Sequence, residues 1–317
     1  MIRRALVTGG AGFIGSHLCD RLISDGWSVT VLDNLSSSDG TNLEHLKGSN
    51  LAIHHGDIRD LDLIVRLLHQ ADILFHLAAM ISVPQSLQEP RLCYDVNVRA
   101  FADILETLRD RPIPVLYTTS AAVYGPGGKG PQREDSSLAP QSPYGASKAM
   151  DEILAAASTA AWGIPTLGFR LFNVYGPRQN PEGPYASVIP RFVTAFLRRR
   201  PVTIYGDGEQ TRDFVYVGDA ARVMVLAESK TEILAGSVIN VGCGRSTSVT
   251  RVREILTELV PSSTLPVYQD ERPGDIRHSI ADVDRLSRIC DLDTFYPLKD
   301  GIVKTLDWYR SHEEKDR

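Results

Sequence analysis

Tyr144 and Lys148 stand four residues apart in Pro143-Tyr144-Gly145-Ala146-Ser147-Lys148, so on a helix they share one face. An ammonium beside a phenol favours the phenolate, lowering the tyrosine pKa toward neutrality and making it a usable base. Ser120, in Thr118-Thr119-Ser120-Ala121-Ala122-Val123-Tyr124-Gly125, closes an apolar run with a hydroxyl that can hold or relay a proton. Plainer readings exist: a surface aromatic–lysine contact, and a turn hydroxyl that satisfies backbone. Chemistry is favoured because the three groups follow, in order, a loop suited to phosphate.

That loop is Thr8-Gly9-Gly10-Ala11-Gly12-Phe13-Ile14-Gly15, between an apolar run and a stretch with helical spacing. Gly9, Gly12 and Gly15 let backbone approach a pyrophosphate, and the N–H groups opening the helix attract its charge. Asp33 ends the second apolar run, 18 residues beyond Gly15. A carboxylate there accepts hydrogen bonds from both adenosine ribose hydroxyls and repels a 2′-phosphate, which favours NAD over NADP. Beside a nicotinamide, a Ser, a Tyr and a Lys can move a proton and a hydride together. Asp57, after Gly56, either faces the adenine or caps a helix before Leu61. Leu77-Ala78-Ala79 ends another run in small residues that leave room for a dinucleotide. Asn97, a poor helix former, is either a polar tie to that loop or a solvated side chain.

Apolar runs at Ala5–Thr8, Trp27–Leu32, Leu51–His55, Ile73–Leu77, Val115–Thr119 and Thr166–Phe172 alternate with helical spacing at Phe13–Ser24, Leu61–Leu68, Leu92–Arg109 and Tyr144–Ala161. Such alternation predicts an α/β fold, a doubly wound parallel sheet covered on both faces. Residues 173–185 are rich in Gly, Pro and Asn and read as one long loop. Alternation resumes at 213–243. The segments 173–212 and 244–317 read as a smaller lobe beside a nucleotide-binding domain of residues 1–172. The charged tail from His312 is expected to fray. With 317 residues, 43% hydrophobic and 23% charged, the chain can bury a sizeable core. A net charge of −5 argues against nucleic acid and anionic membrane as partners. No apolar run approaches the ~20 residues of a bilayer span, and the N-terminal run is too short for a signal peptide. Cys19, Cys93, Cys243 and Cys290 are far apart and read as reduced thiols, so a cytoplasmic enzyme without a metal site is expected.

The chain resembles the extended short-chain dehydrogenases/reductases, specifically the NAD-dependent nucleotide-sugar 4-epimerases. The motifs are residues 8–15, His76-Leu77-Ala78-Ala79, Pro140-Gln141-Ser142-Pro143-Tyr144-Gly145-Ala146-Ser147-Lys148, Arg170-Leu171-Phe172-Asn173-Val174-Tyr175-Gly176-Pro177 and Arg212-Asp213-Phe214-Val215-Tyr216-Val217. The resemblance implies a Rossmann-like domain with a smaller C-terminal α/β substrate lobe, and Ser120, Tyr144 and Lys148 as the catalytic residues. It implies NAD contacts at Gly9, Gly12, Phe13, Ile14, Gly15, Asp33, Asn34, Ser37, Ser38, Asp57, Ile58, Leu77, Ala78, Ala79, Asn97, Thr118, Tyr144, Lys148 and Phe172. For a UDP-sugar it implies Asn173, Arg212 and Arg272 on the diphosphate and Asp275 on the nucleotide ribose. Ser187, Val188 and Tyr205 fall where the family packs uracil and ribose, and Ser82, Ser120 and Tyr144 at the sugar. A homodimer through the helices near 92–109 and 144–161 is also implied.

Within the family, dehydratases carry an Asp-Glu pair just after the strand-five hydroxyl, and decarboxylases a Glu nearby. Here Ala121-Ala122 cannot act as acid or base, which leaves epimerisation at C4. Ser279 stands where hexose-restricted members carry a bulky Tyr, so room for a 2-N-acetyl group is expected. The alternatives are a UDP-glucuronate 4-epimerase, a net NAD-dependent oxidoreductase, a dehydratase using another acid, and a non-enzymatic NAD sensor. The sensor predicts damage to Ser120, Tyr144 or Lys148, and all three are intact.

Overall fold

A computed structural model describes residues 2–126, 130–182, 186–261, 264–271 and 276–313. Seven strands form one parallel sheet: β1 (Arg4–Thr8), β2 (Ser28–Asp33), β3 (Leu51–His55), β4 (Ile73–His76), β5 (Val115–Ser120), β6 (Thr166–Leu171) and, later in the chain, β11 (Ser237–Val241). Their order across the sheet is β11-β6-β5-β4-β1-β2-β3. Winding reverses between β1 and β4, and a crevice opens at the carboxyl ends of the strands there.

Period-two alternation sends successive side chains to opposite faces. Ala5, Val7, Ile73 and Phe75 therefore join one apolar cluster, and Leu6 and Leu74 the other. Helix α1 (Phe13–Ser24) covers the first face with Leu18, Cys19 and Leu22. Helix α2 (Leu61–Leu68) covers the second with Ile64, Leu67 and Leu68. Its cap is Asp60, whose carboxylate accepts the Leu63 N–H at 3.0 Å, so Asp57 is not the cap. The edge strand β3 is largely exposed, so two-sided cover does not reach it.

Helices α3 (Val83–Gln88) and α4 (Pro90–Tyr94) lead through a π-helical turn at Asp95–Arg99 into α5 (Ala100–Thr107). The stretch expected as one helix is thus helical with a wide turn in its middle, at Asn97. Helix α6 (Pro143–Trp162) begins with Ser142 accepting the Gly145 N–H and with Pro143 in the first turn. It ends at Gly163 in the left-handed region.

Beyond β6 the expected loop is partly ordered as β7 (Asn173–Tyr175). It pairs in parallel with β10 (Phe214–Tyr216), and that distant partner is invisible to local composition. Strand β8 (Thr203–Tyr205) pairs with β13 (Val267–Gln269), and β9 (Thr211–Arg212) with β12 (Thr247–Ser248). Helices α7 (Val188–Leu197), α8 (Val217–Glu228), α9 (Val249–Leu259) and α10 (Leu298–Glu313) complete the chain. Ile189, Phe192, Val252, Ile255, Ile302 and Leu306 belong to the same apolar cluster as α1, so the core runs unbroken into these later segments. Of the charged tail, His312 lies in α10 with its ring stacked on Trp308 at 4.0 Å, and residues 314–317 lie outside the described residues. All four cysteines are free thiols, and Cys19, Cys93 and Cys290 are buried.

Helix α6 turns a polar face inward, with Ser147, Lys148, Asp151 and Glu152 buried. Arg170 on β6 grips Glu152 through two bonds, at 2.9 and 2.7 Å, and Thr119 on β5 donates to the same carboxylate at 2.8 Å. Arg170 also donates to the Tyr124 hydroxyl at 2.8 Å, and that hydroxyl donates to Asn240 on β11 at 2.6 Å. Burial works against the Arg170 charge, but Glu152 more than compensates and holds it protonated. Removing one partner of such a pair strands the other. Glu152→Ala should lower unfolding free energy by about 3–5 kcal/mol. Urea denaturation reads this directly, and a loss under about 1 kcal/mol, the scale of an exposed pair, would refute the anchor.

Candidate functional site

A cavity of about 750 Å³ lies along the carboxyl ends of β1, β2, β4, β5 and β6. A second, of about 440 Å³, adjoins it, and Asn173, Val174 and Ser187 line both. The two therefore join at these residues, between the end of β6 and the start of α7.

At one end is the loop before α1. Gly9 has φ +71°, a left-handed conformation that suits glycine, and a Cβ there would sit 2.7 Å from the Ala78 nitrogen. At Gly15 a Cβ would collide with the Gly9 carbonyl oxygen. These two glycines let β1, the β4 loop and α1 close on one another. Gly12 differs: a Cβ there meets only the Gly9 oxygen, at 3.3 Å, so its other side is open. No side chain caps α1, and the first N–H groups of a helix have no partner within it. Uncapped donors beside open space form a cradle for an anionic pyrophosphate.

Asp33, 7% exposed, lines the cavity at the end of β2. Its carboxylate accepts the N–H groups of Ala11 at 2.9 Å and Leu35 at 2.8 Å, so the same group braces both loops. Asp57 also lines the cavity. Arg59 clamps it from its backbone and side chain, all at 2.9 Å, and Asn34 donates at 3.0 Å. The Arg59 hydrogen bonds hold the Asp57 carboxyl well below the usual carboxylate range.

At the other end Ser120 closes β5, with its hydroxyl accepting the Ala122 N–H at 3.2 Å. Tyr144 is half-buried and Lys148 buried, and all three line the large cavity. The first turn of α6 is tied down by Ser86, whose hydroxyl accepts the Tyr144 N–H at 3.1 Å. Asn97 is a tie. It accepts the Met80 N–H at 2.7 Å and donates to the Met80 carbonyl at 3.1 Å and to the Ser147 hydroxyl at 2.9 Å. The wide turn aims this amide at the β4 loop and α6 together. His76 is bonded to Thr8 at 2.8 Å, and burial, aided by the Lys148 charge, lowers its pKa to about 3. It is a neutral structural ring.

Of the residues expected at the cofactor and sugar, Gly9, Gly12, Phe13, Ile14, Gly15, Asp33, Asn34, Ser37, Asp57, Ile58, Leu77, Ala78, Ala79, Ser82, Thr118 and Phe172 all line the large cavity. Ser38 and Asn97 do not. Val188, Tyr205 and Arg212 line the second cavity with Asn173 and Ser187. Ser279 lines neither; its N–H donates to the Thr211 carbonyl at 3.2 Å, one residue from Arg212. Arg272 and Asp275 lie outside the described residues. Sequence reasoning missed Arg59, Gln85 and Gln179 in the large cavity and Arg191 in the second. Two had a readable signal: Arg59 is two residues past Asp57, and Arg191 is one turn past Ser187 on α7. Among the described residues, no cluster of three His, Cys, Asp or Glu could hold a metal ion, and no helix is long and apolar enough to cross a membrane.

Residues 5–242 match the NAD dependent epimerase/dehydratase family. The chain belongs to that family. It is an extended short-chain dehydrogenase/reductase of the nucleotide-sugar epimerase kind, as the motifs implied, and its cofactor is NAD. A solved UDP-N-acetylglucosamine 4-epimerase from Methanobrevibacter ruminantium, in complex with UDP-N-acetylmuramic acid, is 39% identical with a TM-score of 0.92, covering 98% of this chain and 99% of that one. A Thermus thermophilus UDP-glucose 4-epimerase complex with NAD is 33% identical with a TM-score of 0.85, over 97% of this chain and 99% of that one. The UDP-N-acetyl-alpha-D-glucosaminuronate decarboxylase of Bacillus cytotoxicus is 33% identical over 99% of both chains. Membership therefore fixes an NAD-dependent enzyme and leaves several reaction outcomes open.

Replacing Asp33 by Ser removes a charged acceptor at the end of β2. NAD affinity, measured by calorimetry, should fall about tenfold or more, the scale of one charged hydrogen bond. Unchanged affinity would mean that the carboxylate only braces the loops.

Proposed function

We propose that this enzyme is a 4-epimerase of a UDP-hexose. One observation carries the reading. Among the described residues lining the two cavities, the only carboxylates are Asp33 and Asp57, both at the β2–β3 end. Around Ser120 and Tyr144 there are hydroxyls, amides, apolar groups and the Lys148 ammonium. Eliminating water from C5 and C6 needs a second acid–base pair that this set lacks.

The remaining chemistry is a proton shuttle. The C4 hydroxyl of the sugar is held by Ser120 and loses its proton to Tyr144. The Lys148 ammonium stabilises the phenolate form of that base. NAD, when bound along the glycine loop, Asp33 and the ends of β4 to β6, supplies a hydride acceptor at C4 and a donor afterwards. The 4-keto sugar then turns over in the cavity, and Tyr144 returns the proton to the oxygen on the other face. Ser82, Gln85 and Asn173 border the space in which the sugar turns.

Arg191 and Arg212 give the second cavity its positive charge, which suits a diphosphate, and Tyr205 supplies an aromatic wall for a pyrimidine nucleoside. A 2-N-acetylhexosamine is the preferred reading of the sugar. It is supported by the 39% identity to a UDP-N-acetylglucosamine 4-epimerase.

Pure enzyme incubated with UDP-GlcNAc, and separately with UDP-Gal, should yield the C4 epimer without net reduction of NAD. Tyr144→Phe should reduce turnover by at least about 100-fold, the usual scale of a general base. Poor conversion of the acetylated sugar beside brisk conversion of UDP-Gal would overturn the substrate preference. Accumulating NADH would overturn epimerisation. Two copies are expected to pair through α5 and α6, where Met150 and Ile153 are exposed, at 43% and 65%. Light scattering should give twice the chain's mass, and Ile153→Glu should halve it.

A further inference from the structure

One turn beyond Lys148, α6 buries a second carboxylate that the proton shuttle does not use. Lys148 Nζ donates to Asp151 Oδ2 at 3.0 Å, with the two residues 3% and 1% exposed. Asp151 Oδ1 is buried without a hydrogen-bond partner. The ammonium thus lies between two claimants on one helix face: Tyr144 four residues before it and Asp151 three after. Only the first faces the cavity with it.

We propose that Asp151 is a positioning residue that holds the Lys148 ammonium and, by gaining or losing one proton, sets how much positive charge Lys148 presents to Tyr144. The proposal rests on Tyr144 acting as the base. With the carboxylate ionised, the pair is nearly neutral seen from the cavity and its support for the phenolate is weak. With Asp151 protonated, the pull on Lys148 slackens and the ammonium acts on Tyr144 in full.

The surroundings favour such a proton. Burial is the larger influence on Asp151 and raises its carboxyl to about 6, with the Lys148 ammonium pulling the other way. Burial likewise opposes the charge of Lys148, but Asp151 and Tyr144 together leave its ammonium firmer than an ordinary lysine. Among the described residues, the other ionisable groups facing this pair are Glu152 on α6, Cys93 on α4, Tyr117 on β5 and His76 on β4. Arg170 and Thr119 already hold Glu152, and burial keeps Cys93, Tyr117 and His76 uncharged. Asp151 is the group left to change state near neutral pH. Its Oδ1 stands without a partner where most buried polar atoms have one, so the carboxyl has an oxygen free to carry the proton.

The test uses wild type, Asp151→Asn, Asp151→Glu, Lys148→Met and Tyr144→Phe. In protein labelled with 13C-aspartate, the Asp151 carboxyl resonance, assigned by its loss in Asp151→Glu as well as in Asp151→Asn, should titrate near pH 6. In Lys148→Met it should titrate higher, since the opposing charge is gone. In the pH profile of turnover, the acid limb of Asp151→Asn should move down by about one pH unit, the usual effect of baring a neighbouring charge. Asp151→Glu should keep the wild-type limb. A carboxyl that titrates below pH 5, or a limb that stays in place in folded Asp151→Asn, overturns the proposal. Should Asp151→Asn not fold, the wild-type and Lys148→Met titrations decide alone, and equal values overturn it. Full activity in Tyr144→Phe would instead overturn the reading of the base, which separates the two failures.

Discussion

The position of α6 depends on one buried ion pair, Arg170 on Glu152. A helix is ordinarily held on a sheet by an apolar stripe, and the second half of α6 follows that rule with Ala155. The first half cannot, because it must offer a phenol and an ammonium to the cavity. Polar docking replaces apolar docking there, and Thr119, Tyr124 and Asn240 extend it from β5 to β11. Hydrogen bonds have fixed directions where apolar contacts slide. The cost is desolvation of two charges, and the return is a helix whose first turn has one register against the strand that ends in Ser120.

The joined cavities have a gradient of character. The β2–β3 end carries acid, with Asp33 held by backbone and Asp57 by Arg59. The middle is small and apolar, where Ala78 and Ala79 follow β4. The far end carries Arg191 and Arg212. Hydroxyl-rich ribose, flat rings and a diphosphate each meet matching chemistry along this path.

Most of the sheet and its crevice was readable from the residues. Central parallel strands are buried on both faces, so they appear as apolar runs, and a glycine loop between strand and helix has few other uses. Tyr144 and Lys148 were legible through their four-residue spacing. What escaped is what depends on distant partners. Asn173–Tyr175 carries loop-like composition and becomes a strand because Phe214–Tyr216 lies beside it. The wide turn at Asn97 follows from Met80 and Ser147, which are remote in sequence. Asp151 reads as an ordinary polar residue in a helix, and nothing local tells that its helix turns that side inward. Ser279 was read as leaving room for a 2-N-acetyl group; its N–H bonds the Thr211 carbonyl, and it is not among the residues lining either cavity.

The four free thiols have a consequence for how this enzyme meets oxidative stress. Burial raises the pKa of Cys19, Cys93, Cys243 and Cys290, with Cys243 pushed up to about 12. Oxidants and alkylating reagents attack the thiolate, and at neutral pH these sulfurs are thiols. None lines either cavity. Peroxide at levels that silence thiolate-dependent enzymes would therefore spare these sulfurs.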